Sequence, residues 1–92
     1  MNERVDEIMH ITQEECAEVT QAISKVFRFG FTATHNGKTN KEHLEEELGD
    51  LVAMIRLLVA DGAVNEDAIN KASIAKLEKL HKWSTYIRLE EK

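Results

Sequence analysis

Apolar residues recur at spacings of three and four along this chain, and no proline interrupts them. In the first stretch they are Val5, Ile8, Cys16, Val19, Ile23 and Val26. That period belongs to an amphipathic helix, and it predicts one from about Glu3 to Phe27, ending near Gly30. The segment "FGFTATHNGKTN" that follows is rich in Gly, Thr and Asn and reads as a loop. Thr39 and Glu42 have the spacing of a capping box, so a second helix starts there. It carries Leu44, Leu48, Leu51, Val52, Ile55, Leu58 and Val59 and stops at Asp61-Gly62. Asn65 can cap a third, which runs through Ile69, Ala72, Leu77, Leu80 and Trp83 toward the C-terminus. The expected fold class is all-α.

At 92 residues the chain is expected to form one helical domain, residues 1–92. A helical chain this short makes a thin core, and small domains often complete their burial by oligomerising. The net charge of -5 argues against nucleic acid as a partner, because phosphate backbones are bound by an excess of Lys and Arg. No run of about 18 apolar residues offers a membrane span. The opening "MNERVDEIMH" lacks the apolar core of a signal peptide. The single cysteine, Cys16, cannot make an internal disulfide, so the expected location is cytoplasmic.

Two acidic stretches break the helical pattern. "TQEECAEVTQ" carries Glu14, Glu15 and Glu18, and "HLEEELGDLVAM" carries Glu45, Glu46, Glu47 and Asp50. At 100° per residue, Glu15 lies about 40° from the centre of the first apolar stripe, between Ile8 and Ile11. Glu18 lies at the stripe's edge and Glu14 further out. On the second helix Glu47 falls between Met54 and Leu58, and Asp50 between Met54 and Leu57. Glu45 and Glu46 point elsewhere and read as solvent-facing.

A lone E-x-x-E on a helix is common and usually marks a solvated face. Two such pairs, each intruding on an apolar stripe, call for another reason. A buried ion costs several kcal/mol even after relaxation. A spacing of three puts both acids of a pair on one helix face, and antiparallel packing would make the two pairs converge. Four converging carboxylates repel one another unless a divalent cation sits between them. All-oxygen ligands suit Mg²⁺, which keeps waters that substrate phosphates can replace. Mn²⁺ fits the same ligands.

"EECAEV" followed by "EELGDLVAMI" resembles the E-E-x-x-E … E-x-x-D signature of MazG-like proteins. These belong to the all-α nucleoside triphosphate pyrophosphohydrolase superfamily, with dimeric dUTPases, dCTP pyrophosphatases and phosphoribosyl-ATP pyrophosphohydrolases. The likeness covers about two thirds of the chain. "QAISKVFRFG" with its short Asn/Lys loop is similar to small MazG-like proteins carried by phages and bacteria. By position, the resemblance implies metal-binding roles for Glu15 and Glu18, and for Glu47 and Asp50. Glu14 matches the first Glu of the motif, where the implied role is to assist a second metal or orient a water. The implied reaction cleaves a (d)NTP between the α and β phosphates, giving a monophosphate and pyrophosphate in nucleotide-pool house-cleaning. A metal-activated water and a carboxylate that takes its proton fit that chemistry.

A triphosphate also wants cations from the protein. On the third helix Lys76 lies between Ile69, Ala72, Leu80 and Trp83 around the wheel; it either snorkels to the surface or pairs with charge. The family uses a lysine from a following helix, so Lys76 is the candidate phosphate ligand, with Lys79 its neighbour if the register differs. Lys25, Arg28, Lys38 and Lys41 flank the loop and could reach phosphates or a base, although such residues more often form an ordinary charged rim. Phe29 is the candidate for a base pocket. Cys16 reads as a small core residue rather than a nucleophile. His10, His35, His43 and His81 share no ligand spacing, which speaks against zinc.

Larger relatives have a longer N-terminal helix or extra helices, whereas 13 residues precede Glu14 here. Three helices cannot enclose a nucleotide alone. The expected solution is a homodimer, or a dimer of dimers, with a four-helix-bundle-like core between chains. Two alternatives stay open: a phosphoribosyl-ATP pyrophosphohydrolase-like activity, or a non-catalytic helical protein that binds nucleotides or assembles.

Overall fold

The computed structural model describes residues 2–89. Three helices make up most of it: α1 (Glu3–Phe29), α2 (Asn40–Ala60) and α3 (Glu66–Trp83). Asn2 caps α1, its side chain accepting from the Val5 amide at 2.7 Å. The helix ends at Gly30, whose φ of 88° and ψ of 161° suit only glycine. Thr39 and Glu42 form the reciprocal capping box that opens α2. Asn65 caps α3 by accepting from the Ala68 amide at 2.9 Å. α2 and α3 thus begin at the expected caps, and Asn2 adds one for α1. Residues 1 and 90–92 of the expected single domain lie outside the described residues.

The segment expected to be a loop holds a β-hairpin. Strands β1 (Thr34–His35) and β2 (Lys38–Thr39) pair antiparallel, Thr34 with Thr39 and His35 with Lys38. Asn36 and Gly37 turn it with φ of 52° and 81°. Positive φ at both central residues defines the turn type whose twist matches paired strands, and Asn-Gly is its strongest sequence signal. That signal stood in the sequence and was outweighed by the loop-like composition around it.

α1 and α2 pack antiparallel, as three pairs along their length show. Arg4 Nε meets Asp61 Oδ2 at 2.5 Å at one end. Ile8 packs with Met54 and Leu58, with Ile11 against them, forming a small core. At the far end Asn40 Nδ2 donates to the Gly30 carbonyl at 2.9 Å. Val5 and Ala22 are also buried.

α3 leaves this pair, and none of its residues is buried. The radius of gyration is 16.2 Å, against about 12 Å for a compact chain of this length. Leu48, Val52 and Ile55 on α2 stay exposed, as do Ile74 and Leu77 on α3. Cys16, expected in the core, is exposed. Its side of α1 faces away from α2, so the apolar stripe of α1 is wider than one neighbouring helix can cover. Among the described residues, no helix is long and apolar enough to cross a membrane.

Candidate metal centre and nucleotide cleft

The antiparallel register sets the middle of α1 opposite the first half of α2, so the two acidic stretches meet. Glu15, Glu47 and Asp50 each bring a carboxylate oxygen to within 4.8 Å of the others. Glu15 and Glu47 are half-buried and Asp50 is exposed. Glu15 Oε2 is fully buried and has no hydrogen-bond partner. Burial holds the Glu15 carboxyl above the usual carboxylate range, helped by the charges of Asp50, Glu47, Glu18 and Glu14. Among the described residues, no lysine or arginine acts against those charges.

Glu18 and Glu14 are exposed. Both are near enough for their charge to act on Glu15, but neither joins the tight trio. Glu45 and Glu46 are exposed as expected, and Glu46 pairs with Lys38. The half-buried His43 shares no ligand spacing with another histidine, so histidine spacing does not point to it. It stands four residues before Glu47, and its Nε2 lies 3.3 Å from Glu47 Oε1. The i, i+4 spacing to an acid was the signal that could have found it.

The residues present fit a divalent cation. The donor set is all oxygen, and Glu15, which carries an orphaned buried carboxylate oxygen, clusters with two further carboxylates. Such a group is costly without a counter-charge, and a hard cation is the counter-charge that oxygen ligands select.

Beside the trio, between the end of α1 and the hairpin, runs a cleft with two lobes. The larger, about 460 Å³, is lined by Lys25, His35, Asn36, Lys38, Asn40 and His43. The smaller, about 330 Å³ and mostly apolar, shares Lys25, His35 and Asn40 and adds Phe29, Ala33 and Thr34. Both are of the size that small-molecule sites take. The Arg28 guanidinium sits 5.0 Å from the centre of the Phe29 ring. Asn40 is 6% exposed, and its amide nitrogen is committed to Gly30. Asn40, His35 and Asn36 carry no site signal in the sequence, because only the fold of the hairpin gathers them.

Of the cations expected from sequence, Lys25 lines both lobes and Lys38 the larger one, whereas Lys41 is exposed and lines neither. Lys76 and Lys79 are exposed on α3, and the single chain brings neither to the acids. The α3 stripe that carries Lys76 stays unburied in the single chain, so Lys76 reaches the surface there.

An antiparallel helix pair with an acidic cluster between its helices, and a cleft lined by Lys25, Lys38 and Phe29 at its end, makes this a nearly all-α protein. The family model of the MazG nucleotide pyrophosphohydrolase domain matches residues 3–85, and the chain belongs to that family. Comparison with curated proteins and with solved structures gave no match.

Proposed function

We propose that this protein is a Mg²⁺-dependent nucleoside triphosphate pyrophosphohydrolase that converts (d)NTP to (d)NMP and pyrophosphate. The observation that carries the reading is Glu15, whose Oε2 is buried and unpartnered and whose carboxylate clusters with those of Glu47 and Asp50, in a chain of the MazG family. Glu15, Glu47 and Asp50 would hold Mg²⁺ or Mn²⁺, with Glu18 completing the ligands from the next turn of α1. When bound, the cation neutralises phosphate charge and lowers the pKa of an attacking water.

The chain's own residues do the rest. The acids repel the triphosphate unless cations lie between, so Lys25 and Lys38 in the cleft supply positive charge for its phosphates. Phe29, with Arg28 over its ring, offers an aromatic face for the base to stack on. The hairpin closes the far wall of the cleft, and Asn40 fixes that wall to the end of α1. Glu14, exposed beside the trio, is placed to orient a water or assist a second cation. A carboxylate of the cluster takes the water's proton.

The stripe of Leu48, Val52 and Ile55, together with unpacked α3, supports assembly as a homodimer or dimer of dimers. There α3 of one protomer would cover α2 of its partner and carry Lys76 and Lys79 to the partner's phosphates. The whole chain acts as one domain, and the lone cysteine favours a cytoplasmic setting.

The test is a panel of dNTPs, NTPs and phosphoribosyl-ATP, each with and without Mg²⁺, with products separated. Metal-dependent monophosphate and pyrophosphate, lost in Glu47→Gln, is the expected result. No turnover of any member, with no metal-dependent rise in Tm, would leave a helical binding protein.

A further inference from the structure

His43 stands where the acidic trio meets the cleft. It lies on the first turn of α2, one turn before Glu47, and its Nε2 approaches Glu47 Oε1 at 3.3 Å. The two side chains are 32% and 14% exposed, so the contact is sheltered rather than splayed into solvent. The same ring lines the larger lobe beside Lys25 and Lys38. Among the described residues it is the one side chain that both touches a carboxylate of the trio and lines the cleft.

A side chain can hold its neighbour in place only if it is itself held. The backbone under His43 is fixed from three directions. Thr39 and Glu42 close the capping box. The Asn40 side chain donates to Gly30, and the Asn40 amide donates to the Ala33 carbonyl at 3.0 Å. Glu47, by contrast, has three rotatable bonds and carboxylate neighbours that push it away. Nothing in the trio itself restrains it.

We propose that His43 is a positioning residue for Glu47: its ring holds the carboxylate beside Glu15 and Asp50, in the orientation that a divalent cation requires. The inference rests on the reading of the trio as a metal site. Partners of this kind, one step out from a ligand, typically change metal affinity by about 10–100-fold.

The test is a Mn²⁺ titration of the full chain without nucleotide, read as the free-ion signal in electron paramagnetic resonance. His43→Ala is expected to weaken Mn²⁺ binding by about 10–100-fold. His43→Gln, whose amide can donate to the same oxygen, is expected to restore most of that loss. The Tm of both metal-free variants should match that of metal-free wild type, since a merely structural role would move both. Equal affinity in wild type and His43→Ala overturns the proposal, and so does a His43→Gln as weak as His43→Ala. If His43→Ala does not fold, His43→Asn, whose amide is too short to reach Glu47, takes its place. A wild type that binds no Mn²⁺ sinks the metal site itself, which is a different result from a wild type that binds and a variant that binds equally well.

Discussion

Glu15 on α1 and Asp50 on α2 bring carboxylate oxygens within 4.8 Å of each other across the helix pair, and among the described residues neither has a cationic partner. Like charges so placed stabilise nothing by themselves. The arrangement persists because Ile8, Met54 and Leu58 pack one end of the pair while Asn40 and Gly30 tie the other. The acids are held by a scaffold that they weaken.

Glu15→Gln tests that tension directly. The Glu15 carboxyl titrates above its usual range in the folded protein, through burial and then the charge of Asp50. The folded state therefore binds the proton more readily than the unfolded one. Stability from this group is present below the unfolded value of about 4.3 and is lost as pH rises through the folded one. The metal-free variant should melt higher than wild type at neutral pH, with the gain vanishing toward pH ~4. Thermal melts across that range check it. The variant should also lose on the order of 10²-fold in hydrolysis, as expected when several kcal/mol of charge stabilisation go.

Neighbouring glutamates on α2 should separate cleanly. Glu47 belongs to the trio, whereas Glu46 is exposed and paired with Lys38. Glu47→Gln should abolish both turnover and the rise in Tm on adding Mg²⁺ or Mn²⁺. Glu46→Gln should keep both, because an exposed ion pair contributes at most about 1 kcal/mol. Equal losses in the two variants would place the active carboxylates elsewhere.

The capping box predicts a pH dependence of opposite sign. The Thr39 amide and hydroxyl hold the Glu42 carboxyl below its usual range. Its contribution is present above the unfolded value of about 4.3 and lost as pH falls through the lower folded one. The Tm difference between wild type and Glu42→Gln should shrink as pH falls from about 6 to 3. Thr39→Ala, which removes the acceptor for the Glu42 amide, should cost about 1 kcal/mol at neutral pH in denaturant unfolding.

In the cleft, Phe29→Ala should raise KM for the preferred nucleotide about tenfold while leaving kcat nearly unchanged. Base–aromatic stacking is worth about 1–3 kcal/mol, and this ring lies in the apolar lobe rather than against the acids. Steady-state kinetics separate the two constants; an unchanged KM would remove the base from this lobe.

Sedimentation should give a particle of at least two chains. Val52→Glu, in the exposed stripe of α2, should reduce it to monomers and lower activity with it. Monomeric wild type with full activity would leave Lys76 and Lys79 with no route to the phosphates.

Local signals in the sequence were sufficient for the helices. Caps at Thr39 and Asn65 and breaks at Gly30 and Asp61-Gly62 act within a turn or two, so residue spacing alone locates them. The intrusion of Glu15, Glu47 and Asp50 on apolar stripes was legible for the same reason, since one helical wheel shows it. The Asn-Gly turn was equally local, but only two residues pair on each side of it, too few for an alternating pattern to stand out. Which acids meet was a matter of register. The packing of Ile8 on Met54 and Leu58 decides that Glu15 lies against Glu47 and Asp50, while Glu18, one turn on, stays exposed. That His43 touches Glu47 follows from their i, i+4 spacing on α2, whereas its place on the cleft follows from where the hairpin folds back on the end of α1. Residue spacing alone fixes the three helices and which of their acids lie out of place. The tertiary structure decided the company those acids keep, because contacts between residues more than thirty positions apart depend on packing that no local pattern encodes.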